Sequence, residues 1–145
     1  MNQDLYRLVY YSRNRVPAEI VDDQVQAILA ASCRNNLRAG VTGALLFNTG
    51  CFGQVLEGTC GAVETTFERI QRDPRHGDVS LLAFAPAERR SFASWSMGFV
   101  GSDAGAAGRY RGIADESGFD PSTMSGDILF QTLERLARDE ERRAA

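Results

Sequence analysis

A tight turn between two apolar runs is the feature that most restricts the fold of this chain. VTGALLFN (Val41–Asn48) and CFGQVLEG (Cys51–Gly58) both have the composition of buried strands, and Asn48-Thr49-Gly50 between them is typical of a hairpin turn. The two runs are therefore expected to pair antiparallel. Gln54 interrupts the second run with an amide, and a buried amide without partners costs about 1–3 kcal/mol. Its place in the strand has to be explained by what it bonds to.

Strand and helix patterns alternate around this hairpin. The other elements predicted, in chain order, are a strand at Leu5–Ser12, a helix between Pro17 and Gly40, a helix at Gly61–Arg72, a loop at Asp73–Asp78, and strands at Val79–Ala85 and Ser91–Val100. The order β-α-β-β-α-β-β predicts an α+β, ferredoxin-like sandwich. We expect a five-stranded mixed sheet with both helices on one face.

The C-terminal part of the chain is expected to add a helix. GSDAGAAGRYRG is rich in small residues and resembles a linker, whereas MSGDILFQTLERLARDEERR begins with an N-cap candidate at Ser125. Leu129, Leu133 and Leu136 then form an apolar stripe at helical spacing. This helix either packs on the uncovered face of its own sheet or forms a surface shared with a partner.

Charge and composition exclude several classes of protein. The 16 basic residues are all Arg and the net charge is −3, which does not indicate binding to nucleic acid. Three cysteines without a CxxC pair, and a single histidine, do not indicate a disulfide framework or a metal site. MNQDLYRLVYYS has no signal-peptide pattern and no apolar run is long enough to span a membrane, so we expect a cytoplasmic protein.

Several polar or aromatic residues stand where core residues are expected. They are Tyr10, Asn35, Asn36, Gln54, Arg69, Asp73, Arg75, His76, Trp95 and Met97. Each has an ordinary explanation by itself, such as a helix cap, core packing or a solvated loop. Together they indicate a slot between the two helices for a flat ligand with polar edges. No P-loop, GxGxxG or nucleophile motif accompanies them, which argues against an enzyme.

Five motifs in this sequence resemble those of one family. YRLVYYS, NNLRAGVTGALLF, FGQVLEG, RIQRDPRH and FASWSM occur in the order and spacing of BLUF domains, the flavin-binding blue-light sensors. The resemblance covers about residues 5–100, and the tail resembles the C-terminal helical segment of short, single-domain bacterial members. It implies a flavin-binding photosensor domain at 1–102 and a helical extension at 103–145 that covers the sheet or mediates oligomer or partner contacts.

The resemblance implies a role for each matching residue. Tyr10 and Gln54 fall on the photochemical pair, and Trp95 and Met97 on the pair that transmits the signal. The implied flavin-binding residues are Tyr10, Asn35, Asn36, Gln54, Arg69, Asp73, Arg75 and His76. Gly53 departs from the family, which usually has a bulky apolar residue before the Gln, and a glycine there loosens the packing beside Gln54.

The implied function is that of a blue-light photoreceptor. Excitation of the flavin would drive electron and proton transfer from Tyr10, and rearrangement of Gln54 would switch the local hydrogen bonds. The expected cofactor is FAD, with FMN or riboflavin possible. The chain ends before an effector domain, so we expect no catalytic output, a homo-oligomer, and signalling to an effector protein in trans. Two alternatives are a small flavoprotein reductase and a light-inactive ferredoxin-like interaction module.

Overall fold

The computed structural model describes residues 5–15, 21–48, 51–92, 98–101 and 125–144, and the elements below lie within them. The strands are β1 (Leu5–Asn14), β2 (Thr42–Asn48), β3 (Cys51–Thr59), β4 (His76–Pro86) and β5 (Gly98–Gly101). The helices are α1 (Val21–Ala39), α2 (Cys60–Arg72) and α3 (Gly126–Ala144). No helix among the described residues is both long enough and apolar enough to cross a membrane.

The strands form a single sheet in the order β4-β1-β3-β2-β5. The pairs β4–β1, β1–β3 and β3–β2 are antiparallel, and the hairpin expected from the Asn48-Thr49-Gly50 signal is the β2–β3 pair. The short β5 joins this antiparallel sheet by parallel pairing with β2. The ferredoxin-type α/β arrangement expected from the order of the elements is confirmed.

Two strand boundaries differ from the prediction, and the first lies at His76. The residues His76–Asp78, expected in a loop, are the first residues of β4. The reason is that β1 continues to Asn14, so its backbone offers partners to His76 and Gly77. Pairing with a neighbouring strand outweighs the turn-forming composition of these residues. Asp78 still has a positive φ of 47°, a backbone conformation typical of turns.

The second difference is at the start of the last strand. The prediction of a strand beginning at Ser91 is wrong for Ser91 and Phe92, which are not extended, and β5 starts at Gly98. The backbone N–H groups of Ser91 and Phe92 bond to the side chain of Glu57 instead of to a neighbouring strand. Trp95 and Met97 lie outside the described residues.

One face of the sheet forms a core with α1 and α2. Leu8 and Tyr10 of β1, and Phe52 and Leu56 of β3, point to this face and are almost fully buried. Their alternation along each strand is the period of two that places every second side chain on the same face. Helix α2 begins directly after β3, with the Thr59 side chain accepting a hydrogen bond from the N–H of Ala62.

The other face of the sheet is covered by α3. Leu129 and Leu133, two residues of the predicted apolar stripe, are fully buried, and α3 contacts all five strands. Ser125 caps the helix by accepting a hydrogen bond of 3.2 Å from the N–H of Ile128. A Cβ atom on Gly126 would lie 2.7 Å from the Cβ of Ala83, so the first turn of α3 rests directly on β4.

A buried carboxylate on the α3 side joins three parts of the fold. Glu57 of β3 is fully buried, and its Oε2 lies 2.9 Å from Nε of Arg7 on β1. Glu57 also accepts backbone hydrogen bonds of 3.0 Å from Ser91 and Phe92. The guanidinium of Arg7 lies 4.1 Å from the ring centre of Phe130 on α3. Glu57 therefore anchors the β4–β5 connection to the sheet, and Arg7 extends that anchor to α3.

Replacing this carboxylate should weaken the whole fold. Glu57→Gln removes the charge opposite Arg7 and turns one acceptor into a donor facing backbone N–H groups. Breaking a buried pair in this way costs about 3 kcal/mol, so the urea midpoint should fall with little change in slope. Glu64→Gln, at an exposed position on α2, is the matched control and should unfold like the wild type. Equal midpoints for all three proteins would contradict the anchor role.

Candidate functional site

A cavity of about 300 Å³ lies between α1, α2 and the sheet. Its wall is formed by Ile28, Ala31, Ser32, Asn35 and Asn36 of α1, Gln54 of β3, Thr66, Arg69, Ile70 and Arg72 of α2, and Asp73, Arg75 and His76 beyond it. This volume is at the lower end of the range for small-molecule sites. It suits one planar ring system better than an entire dinucleotide.

The structure brings most of the predicted site residues together. Those in the cavity wall are Asn35, Asn36, Gln54, Arg69, Asp73, Arg75 and His76. Tyr10 is fully buried and is not part of the wall itself, but its hydroxyl is hydrogen-bonded to Gln54, which is. Trp95 and Met97 lie outside the described residues, so the structure gives them no position relative to the cavity.

Tyr10 and Gln54 form a buried cross-strand pair. They are direct neighbours in the β1–β3 register, and the Tyr10 hydroxyl donates to Oε1 of Gln54. The Tyr10 ring packs on Phe67 of α2 with 5.4 Å between ring centres. Burial, helped by the negative charge of Asp73, raises the pKa of Tyr10 far above its ordinary value, so the phenol keeps its proton. The amide oxygen faces Tyr10, and the amide NH₂ points away from it.

Asp73 and Arg75 form an ion pair at the rim of the cavity. Arg75 Nη2 lies 2.6 Å from Oδ2 of Asp73, and Nε lies 2.9 Å from Oδ1. Burial pushes the pKa of Asp73 upward, but the hydrogen bonds and charge of Arg75, with a smaller effect of His76, bring it below its ordinary value. Arg75 Nη1 also reaches Oε1 of Gln24 on α1, at 3.5 Å. The pair therefore ties the turn after α2 to α1 while keeping an ionised carboxylate in the wall.

His76 contributes a polar ring that is neutral at neutral pH. It is 7% exposed, and its ring centre lies 4.5 Å from that of Phe52. Burial is the main reason that the pKa of His76 falls to about 4. The charge of Asp73 opposes this shift and that of Arg75 adds to it. His76 therefore faces the cavity as an uncharged imidazole.

The sequence reasoning missed several residues of the wall. On α1 these include Ile28 and Ser32, and on α2 they include Thr66 and Arg72. All four lie three, four or seven residues from Asn35, Asn36 or Arg69, which is the spacing that places side chains on one helix face. Extending the predicted site along each helix at this spacing would have identified them. Arg69 and Arg72 are exposed, so they give the mouth of the cavity a positive charge.

The wall as a whole matches a flat, mainly apolar ligand with polar edges. Ile28 and Ile70 supply apolar surface, Asn36 and Gln54 supply amides, and the Asp73 carboxylate accepts hydrogen bonds. No group of three or more His, Cys, Asp or Glu that could hold a metal ion occurs within the described part of the chain.

Burial of His76 should make stability depend on pH. The unfolded chain binds a proton at His76 near pH 6.5, whereas the folded protein binds it near pH 4. Between these values the unfolded state holds more protons, so the free energy of unfolding should fall as the pH is lowered from 6.5 to 4, by at most about 3 kcal/mol. Urea unfolding at several pH values measures this. For His76→Gln, the free energy of unfolding should depend less on pH over the same window, because the imidazole no longer titrates. Parallel curves for the two proteins would contradict the assignment.

Comparison with known proteins identifies the family. The family profile of BLUF, sensors of blue-light using FAD, matches residues 5–98. Photoactivated adenylate cyclase subunit beta of Euglena gracilis is 37% identical over 94 residues, which are 64% of this chain and 11% of the relative. The blue light- and temperature-regulated antirepressor BluF of Escherichia coli (strain K12) is 34% identical over 87 residues, 59% of this chain and 21% of the relative. The chain thus spans about a fifth or less of these curated relatives.

Solved structures match over nearly the whole chain. The dark state of BlrB, a BLUF protein, superposes with a TM-score of 0.77 at 34% identity, covering 97% of this chain and 99% of that one. The photo-activated state of BlsA gives a TM-score of 0.74 at 26% identity, covering 90% and 94%. With the family profile extending from β1 to the start of β5, and with an amide-lined cavity beside a buried Tyr–Gln pair, this chain belongs to the BLUF family of blue-light sensors.

Proposed function

We propose that this chain is a blue-light photosensor that holds FAD between α1 and α2 and signals to a separate effector protein. The observation that carries the proposal is the buried hydrogen bond from Tyr10 to Gln54, because Gln54 also forms part of the cavity wall. The pair is therefore placed to sense a change in the ligand. The relatives' names describe both an antirepressor and cyclases. For this chain we propose a protein partner and no catalytic step of its own.

The residues of the cavity suit a flavin, which BLUF domains bind. The ring would lie between Ile28 and Ile70, with the amides of Asn35, Asn36 and Gln54 toward its polar edge. Arg69, at the mouth, would face the phosphates. A cavity of about 300 Å³ favours enclosure of the ring alone, so the same contacts would serve FAD, FMN or riboflavin. The description of the family names FAD, which supports FAD as the occupant.

The proposed switch uses the asymmetry of the Gln54 amide, which accepts at one end and donates at the other. When bound, the flavin supplies the absorption of blue light and the oxidising power that starts the reaction. Tyr10 would give up an electron to that oxidant and its phenolic proton along the hydrogen bond to Gln54, and would regain both when the charges recombine. Gln54 rotates or tautomerises, so that the end facing Tyr10 changes from acceptor to donor without movement of the backbone. A few hydrogen bonds at about 1 kcal/mol each can bias two conformations without unfolding the domain.

The proposed route out of the site runs through Trp95 and Met97 to α3. Both ends of the segment that contains them are fixed in the described structure: Ser91 and Phe92 bond to Glu57, and β5 pairs with β2. Because α3 lies across all five strands, a shift of this segment would change how α3 docks. We propose that the exposed side of α3 then forms the surface for self-association or for the effector.

The absorption spectrum before and after blue light tests the proposal. The purified protein should bind flavin and show a small, reversible red shift. Tyr10→Phe should keep the flavin, because the ring packing survives, but lose the red shift, because the electron and proton donor is gone. Tyr11→Phe is the matched control and should switch normally, since Tyr11 alternates to the other face of β1. Gln54→Leu should bind flavin and fail to switch.

Other outcomes would replace the proposal. A colourless protein that also rejects added flavin would leave the light-inactive interaction module. Reduction of the flavin by NAD(P)H in the dark, without a red shift in light, would indicate a reductase. A normal red shift in Tyr10→Phe would move the donor role to another residue.

Light should also loosen α3. Hydrogen exchange of the backbone amides at 126–133 is expected to be about fivefold faster in the light state, which corresponds to a loss of about 1 kcal/mol of docking free energy. The measurement compares illuminated and dark protein by mass spectrometry. Tyr10→Phe, illuminated in the same way, is the control and should exchange like the dark wild type. Identical exchange in both wild-type states would rule out α3 as the output.

A further inference from the structure

A buried hydrogen bond joins Ser12 of β1 to His76 of β4. Oγ of Ser12 lies 2.7 Å from Nδ1 of His76, and Ser12 is fully buried. Ser12 follows Tyr10 by two residues, so the two share one face of β1, whereas His76 lies in the cavity wall. The bond therefore connects the interior beside the photochemical pair to the surface that a ligand would touch.

The direction of this bond follows from the hydroxyl hydrogen. In a neutral imidazole one nitrogen donates and the other accepts, and a hydroxyl has one hydrogen to donate. Within the part of the chain that the structure describes, the side chain of Ser12 makes its hydrogen bond to His76. If Nδ1 carried the ring hydrogen, the Ser12 hydrogen would be buried without an acceptor there, which disfavours that tautomer by about tenfold or more. Ser12 therefore donates, and Nδ1 accepts.

We propose that Ser12 is a positioning residue that holds His76 with its hydrogen on Nε2, so that His76 donates a hydrogen bond to a carbonyl oxygen of the ligand. Because Ser12 occupies Nδ1, Nε2 is the ring nitrogen left for the ligand. The proposal rests on the proposed function for the identity of that ligand, since a flavin ring carries carbonyl oxygens.

Asp73 adds to the wall a hydrogen-bond acceptor that complements the donor at His76. Its carboxylate accepts hydrogen bonds and is kept ionised by Arg75. A donor at His76 and an acceptor at Asp73, both in the cavity wall, suit a ring edge on which a carbonyl stands next to an N–H. The reverse tautomer of His76 would present an acceptor to that carbonyl and would repel it. Fixing the tautomer therefore orients the ring as well as holding it.

Nitrogen NMR of the ¹⁵N-labelled full chain tests the proposal directly. The chain has one histidine, so the imidazole signals report on His76 without assignment of other residues. Near neutral pH, with and without flavin, we expect a protonated Nε2 and an unprotonated Nδ1. Ser12→Ala should give a mixture of tautomers or a protonated Nδ1. Ser80→Ala is the matched control and should retain the wild-type pattern, because the Ser80 hydroxyl donates to the backbone oxygen of Asp78 and not to His76 within the described residues.

Release of flavin gives a second measurement. Ser12→Ala should release flavin about fivefold faster, the loss expected for one hydrogen bond, and Ser12→Thr should restore both the tautomer and the slow release because it keeps the hydroxyl. A wild-type proton on Nδ1 would overturn the proposal, and so would Ser12→Ala with the proton still entirely on Nε2. The expected tautomer in a protein without a blue-light red shift would contradict the proposed function and leave the role of Ser12 standing.

Discussion

The antiparallel register between β1 and β3 is the constraint on which both faces of this protein depend. It sets Tyr10 opposite Gln54 and Arg7 opposite Glu57. On each strand these two residues are three positions apart, so their side chains lie on opposite faces of the sheet. The Tyr10–Gln54 pair faces the cavity, and the Arg7–Glu57 pair faces α3. A slip of one residue would reverse the face of every side chain on the strand. The cavity would lose its amide and the buried carboxylate would lose its guanidinium, so the Tyr–Gln pair beside the cavity and the anchor of the C-terminal helix form together or not at all.

This shared register also gives the two faces a short physical connection. The backbone between Gln54 and Glu57 is a fully buried part of a central strand. A new hydrogen bond at Gln54 acts on the same strand whose Glu57 holds the β4–β5 connection. In the proposed switch, a change at Gln54 would therefore also reach the β4–β5 connection through the backbone of β3.

The fold was largely readable from the sequence because its elements carry strong periodic patterns. The antiparallel pairing of β2 with β3, the buried stripe of Leu129 and Leu133, and the cap at Ser125 were each predicted from local signals, and the structure has each of them. Two features depend on residues distant in the chain and could not be read locally. His76 begins a strand because Asn14 pairs with it, and Ser91 leaves the strand because Glu57 binds its N–H.

The same distinction separates the predicted and the missed parts of the site. Asn36 and Gln54 were noticeable because polar residues interrupt apolar patterns. Thr66 and Arg72 fit the polar side of an ordinary helix, so only their spacing of three residues from Arg69 points to the site. The anchoring role of Glu57 could not be predicted from the sequence, because its partner Arg7 is 50 residues away. The contact with Ser12 likewise needed the three-dimensional structure, since serine in a strand has many ordinary explanations.

The raised pKa of Tyr10 means that its phenol keeps its proton across the physiological pH range. The ring is fully buried, and its hydroxyl donates to the side chain of Gln54. In the proposed switch, a proton that leaves the Tyr10 oxygen would therefore have the Gln54 amide as its neighbouring acceptor. Light would then redistribute a proton between two buried side chains, and we expect the spectral change to depend little on the pH of the solution.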